Sequence, residues 1–122
     1  ARRPAPNAGP ATFAPDGLDL TAGGRLVVAE PSADGSAALA IIAPEAVSVH
    51  RDRPGGSPRN VWRGTVREIT ALGSRLRVLI TSDEAPDLVA EITPEAAAEL
   101  GLADGVSVWT SVKATEVTLV AL

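Results

Sequence analysis

Apolar residues in this chain come in short runs, and each run is closed by glycine, proline or a small polar cluster. Leu18 to Leu20, Arg25 to Ala29, Ala37 to Ile42 and Val47 to His50 follow one another, interrupted by Ala22-Gly23-Gly24 and by Ser32-Ala33-Asp34-Gly35. Runs this short, bounded by turn residues, read as strands rather than helices. A polar break at Arg51-Asp52-Arg53-Pro54-Gly55-Gly56-Ser57-Pro58 is the strongest boundary, and the strand pattern is cleaner beyond it. Val61 to Ile69 is rich in β-branched residues. Leu76, Val78 and Ile80 alternate with Arg77 and Leu79, the mark of a half-buried strand. Leu88 to Ile92, Val106 to Val112 and Glu116 to Leu122 follow as further strands. One helix is predicted over Pro94 to Leu100, with Thr93 as N-cap, Pro94 at the first helical position, Glu95 at the positive end and Gly101 as the stop. Five strands with a short helix between the third and fourth is the order of an OB-like Greek-key barrel, so the expected class is all-β. The strands before the break are expected to add a partial second barrel.

The core of such a fold must here be aliphatic, because 45% of residues are hydrophobic but only 2% aromatic. A net charge of -4 opposes bulk binding to nucleic acid or an anionic membrane, both of which need surplus Lys and Arg. Only Phe13, Trp62 and Trp109 are available to stack on bases, and the two tryptophans fit core or interface better. No cysteine is present, which removes disulfides, thiolate metal sites and cysteine nucleophiles. The longest apolar runs, such as Ala37 to Pro44, fall far short of the roughly 20 residues of a membrane span. Residues 1–16 hold prolines at positions 4, 6, 10 and 15 with few large apolar side chains, and read as linker or tail. The opening ARRPAPNAGP, with no Met, reads as a piece that begins inside a linker. Residues 17–56 then supply the strands of a first OB-like half, and residues 57–122 the main barrel.

Catalytic constellations are scarce. His50, the single histidine, reads as a solvated strand end, Glu95, Glu99 and Asp104 serve a helix dipole and the surface, and no phosphate-cradling G-x-x-x-x-G-K-[ST] loop occurs. The expectation is a non-enzyme. Of the 11 basic residues only Lys113 is a lysine. Either it is a chance retention, or a compact ammonium is wanted there. Ser57-Pro58-Arg59-Asn60 reads as a stiffened turn, or as a hydroxyl, a guanidinium and an amide at the mouth of a strand. Lys113-Ala114-Thr115 would add an ammonium, backbone N–H groups and a second hydroxyl, the donor set a small tetrahedral dianion requires. Residues 41–49 also echo residues 111–119. That is a common strand pattern, or the sign of two barrel halves of related design.

Taken in order, Ser57-Pro58-Arg59-Asn60, Arg63-Gly64-Thr65-Val66, Leu72-Gly73-Ser74, Ala90-Glu91-Ile92-Thr93, Glu99-Leu100-Gly101-Leu102, Gly105 and Val112-Lys113-Ala114-Thr115-Glu116-Val117 resemble a molybdate-binding Mop or TOBE domain. The segment before them, with Pro44-Glu45-Ala46-Val47, is similar to the matching region of molybdate-importer ABC ATPases. Two positions depart from that pattern: Ala43 stands where Arg is usual, and Pro58 replaces Ala and removes one backbone N–H.

The resemblance implies oxyanion ligands Ser57, Arg59 and Asn60 from one motif and Lys113, Ala114 and Thr115 from the other, no cofactor, and molybdate or tungstate as ligand. It implies sites between subunits of a homodimer. It also implies a cytoplasmic location peripheral to the inner membrane, beside an ABC ATPase domain and a membrane permease, where oxyanion binding inhibits transport. The alternative is a structural or dimerisation module of an ABC ATPase for another solute, such as a sugar or polyamine.

Overall fold

The computed structural model describes residues 7–14, 17–21, 23–29, 35–56 and 60–122. Among them the strands form two five-stranded sheets joined by one aliphatic core. The first half of the chain supplies β1 (Asn7–Ala14), β2 (Gly17–Leu20), β3 (Arg25–Leu26), β4 (Ala37–Ile42) and β5 (Ser48–His50). The second half supplies β6 (Asn60–Leu72), β7 (Arg75–Thr81), β8 (Leu88–Ile92), β9 (Ser107–Val112) and β10 (Val117–Ala121), with α1 (Pro94–Leu100) between β8 and β9. Short 3-10 turns at Pro44–Ala46 and Ala114–Glu116 link β4 to β5 and β9 to β10.

The sheets do not divide at the polar break. Their orders are β10-β4-β1-β2-β3 and β5-β9-β6-β7-β8, so each half lends its last strand to the other. Ile42 pairs with Val117 at one exchange and Ser48 with Ser111 at the other. The expected closing strand near Glu116 to Leu122 therefore belongs to the first sheet, and β5 takes its place in the second. The 3-10 turn is the physical reason: it redirects the chain after Lys113 and takes up Glu116 before β10 begins.

The expected tail over residues 1–16 is corrected from Asn7 onward. Asn7–Ala14 is a central strand, paired with β2 on one side and β4 on the other. Phe13, half-buried against the core, is its one large apolar residue, and its buried positions, Ala11 and Ala14, are small. Residues 1–6 and 15–16 lie outside the described residues.

The predicted helix is present with its caps. Thr93 Oγ1 accepts from Ala96 N at 3.1 Å, Pro94 stands at the helix start, and Gly101 adopts the left-handed conformation, φ 64° and ψ 39°. Arg51 Nη1 donates to Leu100 O at 2.7 Å, so the polar break is tied down on the C-terminal end of α1. The alternation in β7 holds, with Val78 and Ile80 fully buried beside Leu18, Leu26, Val66, Val108 and Val112. Trp62 joins this core. Among the described residues no helix is long and apolar enough to cross a membrane.

Candidate functional site

The register of β6 with β9 sets the geometry of the two candidate motifs. Asn60, the first residue of β6, lies opposite Val112, the last of β9. Ser57, Pro58 and Arg59 precede Asn60 directly, and Lys113 follows Val112 directly. Asn60 and Val112, the described residues next to the two motifs in sequence, thus stand side by side on adjacent strands. Ser57 and Arg59 themselves lie outside the described residues.

Lys113 is exposed and stands at the head of the turn Ala114–Glu116, in extended conformation with φ -70° and ψ 142°. Its ammonium forms no ion pair with any described residue. Ala114 is half-buried and Thr115 exposed. Lys113 lines a recess together with Ser48 and Ser111 from the β5–β9 exchange, and with Glu45 and Glu116 from the two turns. The recess therefore offers one cation, two hydroxyls and two carboxylates. Its lining serines were invisible in the sequence, since only the strand exchange brings residue 48 against residue 111.

Asn60 has a different place from the one expected of a ligand. It is 3% exposed, its Oδ1 accepts from Val27 N at 2.6 Å, and its Nδ2 donates to Val27 O at 2.9 Å and Val112 O at 3.2 Å. Both polar atoms of the amide are satisfied within the chain. Asn60 fixes the strand end from which the first motif departs.

Asn7 repeats this arrangement in the other half. It lies opposite Ile42, donates from Nδ2 to Ile42 O at 3.2 Å and to Val89 O at 2.9 Å, and accepts from Val89 N at 2.8 Å. Each asparagine clamps a segment of the opposite half.

His50 is not a solvated strand end. It is half-buried, and its Nε2 lies 2.8 Å from Ser111 Oγ, which ties β5 to the wall of the recess. Other cations are engaged elsewhere: the guanidinium carbons of Arg53 and Arg63 lie 5.0 and 5.2 Å from the centroid of the Trp109 ring. Trp109 is thereby covered rather than free to stack on a base. Among the described residues no group of three or more His, Asp and Glu side chains gathers to hold a metal.

The TOBE domain family model matches residues 56–119. The Mycobacterium tuberculosis molybdenum import ATP-binding protein ModC is 42% identical over 115 residues, covering 88% of this chain, with the same values in strains CDC 1551 and H37Rv. The chain spans 31% of the length of those relatives. In three dimensions it is similar to a molybdate-bound crystal form of the cytoplasmic molybdate-binding protein ModG, with a TM-score of 0.83, 23% identity and complete coverage of both chains. That likeness fixes the OB-like fold.

Proposed function

The chain belongs to the TOBE domain family, and on that premise we propose that it is the oxyanion-sensing regulatory module of a molybdate or tungstate importer's ATP-binding subunit. One observation carries the reading: Lys113, the single lysine, is exposed and unpaired among the described residues, at the head of a turn one residue beyond the strand partner of Asn60. An uncommitted ammonium beside hydroxyls and turn N–H groups is what a small dianion needs. The 42% identity to a molybdenum import ATP-binding protein supports the same ligand class.

In this reading Lys113, Ala114 and Thr115 meet Ser57 and Arg59 around the oxyanion, and Asn60 positions the strand end. The recess carries two carboxylates for one ammonium, so Lys113 alone cannot offset the charge of a dianion; Arg59 brings one further cation, and a second copy of the chain is the natural source of more. Oxyanion binding then favours a homodimer by mass action. In the parent subunit, cytoplasmic and peripheral to the cell membrane beside a permease, that dimer would hold the ATPase halves in an inactive arrangement, with reciprocal coupling between the sites.

A second reading, a structural module of an ABC ATPase for another solute, draws support from Glu45 and Glu116 in the recess and from the internal engagement of Asn60. Calorimetric titration separates the two. Heat and saturation with molybdate and tungstate, and none with sulfate, are expected; a flat molybdate titration would sink the sensor reading in favour of the scaffold.

A further inference from the structure

The two 3-10 turns occupy matching places in the two halves, 70 positions apart, from residue 44 to residue 114. Their backbones agree closely. Ala43 has φ -64° and ψ 141° where Lys113 has -70° and 142°, and Val47 has -86° and 116° where Val117 has -89° and 116°. The strands that enter them, Ala37–Ile42 and Ser107–Val112, match at the same offset. Asn7 and Asn60 stand opposite Ile42 and Val112 respectively and make corresponding hydrogen bonds. The internal echo at residues 41–49 and 111–119 is therefore a true structural repeat, not a common strand pattern.

The side chains at matching positions are chemically opposite. Ala43 replaces the Lys113 ammonium, Pro44 replaces Ala114 and has no N–H to donate, and Glu45 replaces the Thr115 hydroxyl with a carboxylate. In sequence the residues before Asn7 are Pro4-Ala5-Pro6, against Ser57-Pro58-Arg59 before Asn60. A cation, a backbone donor and a hydroxyl are all missing, and a negative charge is added where a dianion would bind. No cation in its own turn offsets that carboxylate, the one ammonium lining the same recess being Lys113 of the second half, so at the first turn it repels an anion.

Building on the oxyanion reading above, we infer that the turn Pro44–Ala46 is a ligand-free counterpart of the Lys113 turn, and that each chain holds one oxyanion site rather than two. Glu45 stands where the Lys113 turn has the Thr115 hydroxyl, so the first turn offers an anion no donor set of its own, and its carboxylate faces the one recess shared with Lys113. The first turn serves to carry β5 across to β9, a role that needs only the shared backbone.

Equilibrium dialysis against molybdate, with molybdenum counted per chain by elemental analysis, tests this. The chain is expected to saturate at one molybdate, and Lys113→Ala to reach half-saturation only at about ten- to hundredfold higher molybdate while melting at the same temperature as the unsubstituted chain. Saturation at two per chain, or a Lys113→Ala protein that fills its one site at the same molybdate concentration as the unsubstituted chain, overturns the inference and leaves the oxyanion reading standing. No uptake by the unsubstituted chain overturns the oxyanion reading itself, and this inference falls with it.

Discussion

Asn7 and Asn60 are counterparts that clamp the two halves reciprocally: Asn7 of the first half holds both main-chain groups of Val89, and Asn60 of the second holds both main-chain groups of Val27. Their burial differs, and so should their weight. Asn60 is buried, so Asn60→Ala leaves the N–H and C=O of Val27 and the carbonyl of Val112 without their partner, at about 1–3 kcal/mol for a buried group. A loss of about 3 kcal/mol, or roughly 10 °C in Tm, is expected. Asn7 is only half-buried, water can replace part of what it gives, and Asn7→Ala should cost less. Thermal melts of the two variants check the order; equal losses would mean that the clamps do not differ as their burial says.

Gly64 lies where β6 leaves no room for a side chain beside β7. A Cβ there would stand 2.6 Å from Ile80 Cγ2 and 2.9 Å from Thr81 O, and the second is main chain that cannot swing away. Gly64→Ala should destabilise by about 1–3 kcal/mol as an overpacked site. Denaturant unfolding would show it as a lower midpoint with an unchanged slope; an unchanged midpoint would mean the strands separate at little cost.

The legible part of the fold was the part written in local chemistry. Thr93, Pro94 and Gly101 bound the helix by rules that need no tertiary context, and Val78 and Ile80 show their buried face by alternation alone, with Leu76 half-buried. β1 was missed because a central strand flanked on both sides can be filled with Ala and Gly when the neighbouring strands carry the bulk. The strand exchange was missed because nothing local states that Ser48 meets Ser111, a pairing made only when two distant turns redirect two strands. For the candidate site, Lys113 stood out by being the one lysine among 11 basic residues. The resemblance implies Asn60 as a ligand; its burial and its partnership with Val27 lie beyond what a motif records.

Lys113 should matter to binding and not to folding. A charge-assisted hydrogen bond is worth roughly 1.5–3 kcal/mol, so Lys113→Ala should lower molybdate affinity by about one to two orders of magnitude. The side chain is exposed, and its removal should change ligand-free stability by less than about 0.5 kcal/mol. Melts with and without molybdate separate the two effects. A variant stabilised by molybdate as much as the unsubstituted chain would place the site elsewhere.

Glu45 lines the recess that Lys113 enters, and its charge opposes an incoming dianion. Glu45→Gln keeps the shape and removes the charge. Molybdate affinity is expected to rise about two- to fivefold at low ionic strength, and the gain to shrink as salt screens an exposed carboxylate. Titrations at two salt concentrations read this directly. No gain at either would show that the carboxylate turns away from the ligand.

The strand exchange makes a prediction about the second half on its own. Residues 57–122 carry β6 to β10 and α1, but β9 loses its partner β5 and β10 loses its partner β4. An isolated copy would expose two unpaired strand edges, which are templates for association. Because β5 and the start of β10 match at the 70-residue offset, and β4 matches β9, the β10 of one copy fits beside the β9 of another. Two copies then satisfy each other as the two halves do in the whole chain. The fragment should therefore be a strand-exchanged homodimer whose folding depends on its concentration, with two Lys113 turns in place of one. Sedimentation equilibrium and circular dichroism over a dilution series provide the measurement. A fragment that remains folded as a monomer on dilution would show that β10 can close its own sheet, and the exchange would then be a matter of linkage rather than of strand pairing.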